Sequence, residues 1–487
     1  MSNFVNAAKS MANQTLTENG GLAYSSTNGG ALLDIYAKIG GMRKRDASAI
    51  ISDWKAARQE NPTLADNLIL YARNIRDCGL GERRIGRILL AELGRIDAQK
   101  IVRNLQTIVD TGRWDDLFIF LNGKYPVIEA KVWEFISKQL RADAEGMAKN
   151  QPISILAKWM PSINTSSQET RKLGRRACRY LGLTERTYRK TLAKLRAHIG
   201  VVETKMSAGK WDEIDFESVP SVAMSRYIKT YNKRCQERFA AYKASLEKGE
   251  AKVNASTLYP YDIVYKYMYG NSRYHLDPVD EAQWKALPNY VSGEYDVVVM
   301  ADVSGSMSGQ PMATSVGLAT YFAQRNKGAY HNLYMTFTNN PHFISLEDSW
   351  GLEECLRKVM STDMGYNTNL DRAFELIYKT AVRTREVPKA LVVISDGQFD
   401  YDVRPDTADS IVGKWNKKLR EAGLPETKVV SWNVEARQDN YIGTVYDNIS
   451  YCSGSGVGPF NDLRELIECN AYEAMVKILS KDVYSWK

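Results

Sequence analysis

Short unbroken apolar runs alternate with amphipathic periods through the latter part of the chain. Residues 295–301, 332–337, 390–395 and 428–434 are the continuous apolar stretches that buried strands require. Between them, 312–325, 352–360, 370–382 and 409–421 carry apolar positions at helical spacing. Strands alternating with helices predict a doubly wound parallel sheet covered on both faces. Loops that follow such strands gather at the carboxyl edge of the sheet, where ligands bind in this class of fold.

The earlier part of the chain reads as helical throughout. Periodic segments at 31–39, 46–59, 64–76, 82–93, 98–109, 126–141, 169–181, 185–199 and 221–247 are separated by short polar breaks, Gly or Pro. Many helices with short connections predict stacked helical pairs, as in an α-solenoid, although no clean repeat period is visible. The expected architecture is a helical module over 1–283, a linker over 284–293 and an α/β domain over 294–487.

Charge sharpens this division. Residues 1–290 hold 45 Lys and Arg against 31 Asp and Glu, a net of +14, whereas the remainder holds 20 against 26, a net of −6. An overall +8 conceals two opposite halves. With 44% hydrophobic residues the chain has material for real cores, and no apolar segment approaches the roughly 20 residues of a membrane span. The first residues, MSNFVNAAKSMANQTLTENG, lack the apolar centre of a secretory signal. Cysteines 78, 178, 235, 355, 452 and 469 are scattered without a C-x-x-C pair. Reduced thiols and a cytoplasmic setting are therefore expected, without a structural zinc site.

The basic half concentrates its charge in SSQETRKLGRRACRYLGLTERTYRKTLAKLRAHIG. Ser166 and Glu169 have the spacing of a capping box. At 100° per residue, Leu173, Ala177, Tyr180 and Leu181 share one helix face, with Arg171, Lys172, Arg175, Arg176 and Arg179 on the other. After Gly182-Leu183-Thr184 a second helix repeats the arrangement: Tyr188, Leu192, Leu195 and Ile199 lie opposite Arg186, Lys190 and Lys194, with Arg189 at the flank. Ten basic residues and one acid, Glu185, lie between 171 and 196. That density repels itself unless a polyanion neutralises it, and Arg matches phosphate bidentately, so nucleic acid phosphates are the expected ligand. The bland reading is a solvated helix face. Trp211 and Phe216, in GKWDEIDF, read as core anchors rather than base-stacking platforms.

In the acidic half, YDVVVMADVSGSM delivers Asp302, Ser304 and Ser306 into the loop after an apolar run. MGYNTNLDRAFEL puts Thr368 just before an amphipathic helix, and ALVVISDGQF ends another apolar run at Asp396. Carboxylate and hydroxyl oxygens are the donors a hard divalent cation prefers. The bland alternative is that the serines cap a helix and Asp396 closes a turn; Asp400 and Asp402 beyond the site read as a solvated loop. These motifs resemble the metal-ion-dependent adhesion site of von Willebrand factor A domains. The resemblance implies that Ser304, Ser306 and Thr368 contact the ion, Mg²⁺ with Mn²⁺ or Ca²⁺ as alternatives. Asp302 and Asp396 then act directly or through water. It also implies an open coordination position that a partner's acidic group completes, and hence binding rather than bond-breaking.

A helical module followed by such a domain resembles the Ro-type proteins, which join a TROVE module, a ring of HEAT-like helical repeats, to a von Willebrand A domain. TLTENGGLAYSSTNGGALLDIYAKIGG, YARNIRDCGLGERRIGRILLAEL and VVETKMSAGKWDEIDFESVPSVAMSRYIKTY are similar to signature blocks of that superfamily, closest to its uncharacterised plant and fungal branch. The resemblance implies binding of small noncoding or misfolded RNA, or of its single-stranded ends, with ring closure left open. Phosphate-loop, dinucleotide and zinc-protease motifs are absent, and the four histidines fall in no nucleophile motif, so no enzyme is expected. The alternative is a metal-dependent protein-interaction or assembly factor without physiological RNA.

Overall fold

The structure is a computed structural model that describes residues 8, 12–76, 79–270, 274–291, 293–338, 340–362, 368–400 and 410–487. The chain divides into two compact units, Met1–Gly86 with Ala255–Ser485 and Arg87–Asn254 with Trp486–Lys487. This division differs from the one expected from charge and periodicity: both flanks of the helical stretch belong with the sheet.

Two small strands, β1 (Gln14–Leu16) and β2 (Leu22–Tyr24), form an antiparallel hairpin in the first unit. Its main sheet comprises β3 (Val297–Asp302), β4 (Leu333–Phe337), β5 (His342–Ser345), β6 (Ala390–Ser395), β7 (Lys428–Asn433) and β8 (Ile449–Ser453). They lie in the order β5-β4-β3-β6-β7-β8, all neighbours parallel except the antiparallel edge pair β4 and β5. Four of these strands fall on the expected apolar runs. Sequence pattern missed β5, a short and partly exposed edge strand, and β8, whose ISYCS mixes polar with apolar residues although every position is buried.

All six residues of β3 and of β6 are buried, which requires cover on both faces. The Gln310–Arg325 helix packs on β3, β4 and β6, and the Leu463–Glu468 and Ala471–Leu479 helices pack on β8. The Ala31–Lys38 helix packs on β7 and β8. That helix buries six of its eight residues, so it has too little polar surface to lie against solvent and needs neighbours on several sides. Farther along, the Asn67 side chain donates to the Leu479 carbonyl at 3.0 Å, tying the Pro62–Arg73 helix to the C-terminal helices. From β3 the chain proceeds to β4 on one side and from β6 to β7 on the other. Between β3 and β6 lies a topological switch point, the place beyond the carboxyl strand ends where ligands bind in open α/β sheets.

The second unit is helical. The 98–109 period resolves into Ala98–Arg103 and Leu105–Thr111, broken at the fully buried Asn104. Its side-chain amide donates to the carbonyls of Lys100 at 2.8 Å and Lys487 at 2.9 Å. Likewise 221–247 breaks at Cys235, where φ is −130°, into Ser221–Arg234 and Gln236–Glu247. The bend brings Tyr231, Phe239 and Tyr242 around Phe216, with ring centroids 5.4, 5.0 and 5.3 Å away, so Phe216 is the hub of an aromatic core. The Pro126–Ala148 helix packs against both Gln168–Leu181 and Glu185–Ile199. Between those two, Gly182 takes φ +63°, a left-handed turn that a side chain would strain.

The hairpin β1–β2 is held close to the sheet's carboxyl edge. An added Cβ at Gly21 would lie 2.4 Å from the Phe399 carbonyl oxygen. Gly21→Ala is expected to lower unfolding stability by about 1–3 kcal/mol, the usual cost of overpacking against backbone. Chemical denaturation checks this, and an unchanged midpoint would show that the hairpin is not fixed there.

Candidate metal centre and candidate nucleic-acid interface

Register brings two carboxylates to the switch point. Ala301 of β3 pairs with Ile394 of β6, so Asp302 and Asp396 leave neighbouring strand ends. Both are nearly inaccessible to solvent. Asp302 Oδ1 accepts from the Ser304 backbone N–H at 3.0 Å, and its Oδ2 accepts from the Ser395 hydroxyl at 2.6 Å. Ser304 and Ser306 hydroxyls lie 3.2 Å apart. Burial, followed by repulsion from Asp396, pushes the Asp302 carboxyl up to about 7. Asp396 is also raised by burial, against the lowering effects of the Gln398 N–H, Arg437 and Ser306. Thr368 is buried on a loop bound to the segment after Asp396, where the Asp400 N–H donates to the Thr368 carbonyl at 3.0 Å and the Asp400 carboxylate takes the Thr368 N–H. Asp400 is thus a brace for Thr368 rather than a solvated loop residue; Asp402 lies outside the described residues.

Three contributors carried no sequence signal of their own. Ser395 adjoins Asp396 in the ISDG run, but only the pairing of β3 with β6 turns its hydroxyl to Asp302. Arg437 donates to the Ser306 carbonyl at 2.6 Å and stands 3.7 Å from Asp396 Oδ2. The β1–β2 hairpin braces the loop after Asp396: Thr17 donates to the Phe399 carbonyl at 2.5 Å and Asn19 to that of Gln398 at 2.9 Å.

The donor chemistry fits a hard cation. Among the described residues, Thr368 Oγ1 and Asp396 Oδ2 are buried without a hydrogen-bond partner, and Asp396 Oδ2 meets only the Arg437 guanidinium, 3.7 Å away. Asp302, Ser304, Ser306, Thr368 and Asp396 would hold such an ion, which would supply positive charge and an acceptor position for an acidic group. Groups of three or more His, Cys, Asp or Glu arranged for a metal are absent among the described residues; this set relies on hydroxyls instead.

In the helical unit, Gln168–Leu181 and Glu185–Ile199 form as expected. The N-cap is Ser167, accepting from the Thr170 N–H at 3.3 Å, one residue later than the Ser166 spacing suggested. Arg171, Lys172, Arg179, Arg186, Lys190 and Lys194 are exposed and form no ion pair with a described residue. Arg175 is exposed but sits 3.2 Å from Glu185, and Arg189 is exposed beside the Asn164 side-chain oxygen at 3.2 Å. Arg176 turns inward to the buried Glu129, which also accepts from the Trp133 indole at 3.3 Å. Tyr180, assigned by periodicity to the buried face, is 53% exposed and stacks on Trp133. Helical phase alone could not show that the ring meets Trp133 on one side and water on the other.

Comparison with known proteins gives two adjacent matches to families described only as domains of unknown function, DUF2828 over residues 120–293 and DUF7788 over 296–456. An uncharacterised protein of Acanthamoeba polyphaga mimivirus, L728, is 29% identical over 94% of this chain and 85% of its own length. That relative is viral, so the plant and fungal placement stays a resemblance. The crystal structure of the Ro (RSR) protein of Deinococcus radiodurans aligns over 92% of each chain at 12% identity, with a TM-score of 0.32. So loose a superposition transfers neither residues nor activity.

Arg176 and Arg179 should separate in their effects. Arg176→Ala leaves the Glu129 carboxylate buried without its counter-charge and is expected to cost about 1–3 kcal/mol. Arg179→Ala should change stability by less than about 0.5 kcal/mol. Parallel urea titrations read both, and equal effects would remove the distinction between internal and outward cations.

Proposed function

We propose that this chain is an RNA-binding protein that holds small noncoding or misfolded RNA, or its single-stranded ends, on the basic face of residues 168–199. The observation that carries this reading is the set of six outward cations on two consecutive helices that form no ion pair with a described residue. Protein carboxylates neutralise little of that charge, so a polyanion gains Coulomb energy and counterion release by binding it. Phosphate contacts of this kind hold backbone without reading bases, which suits a holder of diverse RNAs better than a sequence-specific regulator. Within the first unit, the site at Asp302 and Asp396 binds a divalent cation, Mg²⁺ by donor type, and presents it to an acidic protein partner. The chemistry is association, not catalysis. A cytoplasmic location suits the scattered cysteines, of which the five described are all unbridged; no described helix is long and apolar enough to cross a membrane.

Nucleic acid crosslinked to the protein in its native cell and sequenced should yield discrete RNAs, lost when Arg171, Arg175 and Arg179 are reversed to Glu. Affinity for the recovered RNA should fall steeply with salt, the slope dropping by about 0.7 for each single-strand phosphate contact removed. Recovery of the same RNAs from both proteins would place the site elsewhere. Absence of RNA from both would favour the second reading, a metal-dependent assembly factor, which two buried oxygens without a hydrogen bond among the described residues, Thr368 Oγ1 and Asp396 Oδ2, support independently.

The cation is tested by calorimetric titration with Mg²⁺ and Mn²⁺. Wild type should bind one ion and gain thermal stability as ion concentration rises, whereas Asp302→Ala should do neither. Partner capture through this site should fail in EDTA while RNA binding persists. A wild-type protein indifferent to both ions would exclude the metal centre.

A further inference from the structure

Beside the basic face, the helical unit contains a groove of about 590 Å³ along the Pro126–Ala148 helix, lined by Trp133, Ser137, Lys138, Arg141, Glu145 and Tyr180 among others. That volume lies within the roughly 300–1,000 Å³ usual for small-ligand sites. The Tyr180 ring at its wall is 53% exposed, yet it is not a loose surface side chain. One face lies on Trp133, with centroids 5.1 Å apart and planes inclined by 15°. Trp133 is itself fixed: it is 3% exposed, and its indole N–H donates to Glu129, the carboxylate that Arg176 clamps from the helix carrying Tyr180. An aromatic ring held flat by a buried indole and left half open to water is a preorganised stacking surface, costing little entropy on binding.

The groove's charges indicate what stacks there. Lys138 and Arg141 are exposed and form no ion pair with a described residue. Of the lining acids, Glu134 is paired with Lys131 at 2.8 Å and also feels the charge of Lys138, whereas Glu145 forms no ion pair with a described residue. A flat, uncharged ring carrying an anion on one side matches this arrangement, whereas a free anion lacks use for the ring and an apolar peptide lacks use for the cations. We infer that the exposed face of Tyr180 is a stacking platform for one unpaired base of single-stranded RNA, with Lys138 and Arg141 receiving the adjoining phosphate. This rests on the RNA-binding reading above and adds to it a requirement for bases as well as phosphates. Stacking on an aromatic ring tolerates any base, so the platform selects unpaired RNA without selecting sequence. It also explains how a face built for phosphates would distinguish a single strand from a closed duplex, whose bases are unavailable.

The test measures binding of fluorescein-labelled oligouridylate, an abasic oligomer of equal length and a blunt RNA duplex to the full chain. Wild type, Tyr180→Phe, Tyr180→Ala and the Arg171/Arg175/Arg179 charge reversal are compared by anisotropy at one salt concentration. Wild type should prefer oligouridylate to the abasic oligomer by about tenfold. Tyr180→Ala should abolish that preference with the abasic and duplex affinities unchanged, and Tyr180→Phe should keep it. Equal binding of oligouridylate and abasic oligomer to wild type overturns the platform while leaving the phosphate reading intact, and this comparison needs no variant that might misfold. Failure of wild type to bind any of the three would overturn the RNA reading itself.

Discussion

Two carboxylates drawn out of water at neighbouring strand ends are the constraint around which the first unit is arranged. The pairing of Ala301 with Ile394 fixes Asp302 and Asp396 at the switch point, and burial of both sheet faces denies them solvent. Like charges in a low-dielectric site are costly unless polar groups or a cation oppose them. The surroundings answer that demand one atom at a time. Ser395 and the Ser304 N–H take the Asp302 oxygens, the Gln398 N–H takes one oxygen of Asp396, and Arg437 approaches the other without closing a hydrogen bond. Among the described residues, Asp396 Oδ2 and Thr368 Oγ1 are left without a hydrogen bond.

That site also accounts for the position of the N-terminal residues. The loop after Asp396 receives external support from β1–β2 through backbone and side-chain bonds to Gln398 and Phe399. Hydrogen bonds close to the site therefore come from residues almost the whole chain away in sequence. The sheet's hydrophobic cover and the polar bracing of its edge are recruited from the same N-terminal segment, since Ala31–Lys38 covers β7 and β8 only a few residues later.

In the helical unit, positive charge is sorted by geometry. Residues 87–254 contain 31 basic and 19 acidic side chains, and part of that excess is internal. Arg87 is consumed by Asp115 and Asp116, Arg176 by Glu129, and Arg196 by the carbonyls of Ala157 and Met160. These arginines hold helices together, and those left outward create the field that a polyanion would meet. Aromatic residues divide in the same way: Phe216 with Tyr231, Phe239 and Tyr242 makes a closed core, while Tyr180 shows one side to water.

Sequence by itself determined the elements whose signal is local. Continuous apolar runs marked β3, β4, β6 and β7, helical spacing marked Gln310–Arg325 among the helices that cover them, the D-x-S-x-S loop and Asp396 stood out because the strands that deliver them are unmistakably apolar, and Thr368 stood out just before an amphipathic helix. Density of charge picked out 171–196 for the same reason. Tertiary structure alone decided what depends on a partner distant in the chain. β5 and β8 exist because a neighbouring strand offers its edge, Asn104 and Cys235 break helices because a buried amide and an aromatic hub pull on the backbone there, and Arg437 reaches Ser306 across 131 residues. Periodicity assigns a residue to a face but not to a neighbour. Arg176 turned inward to Glu129 and Tyr180 outward from Trp133 because packing, not helical phase, settles which groups are left in contact with water.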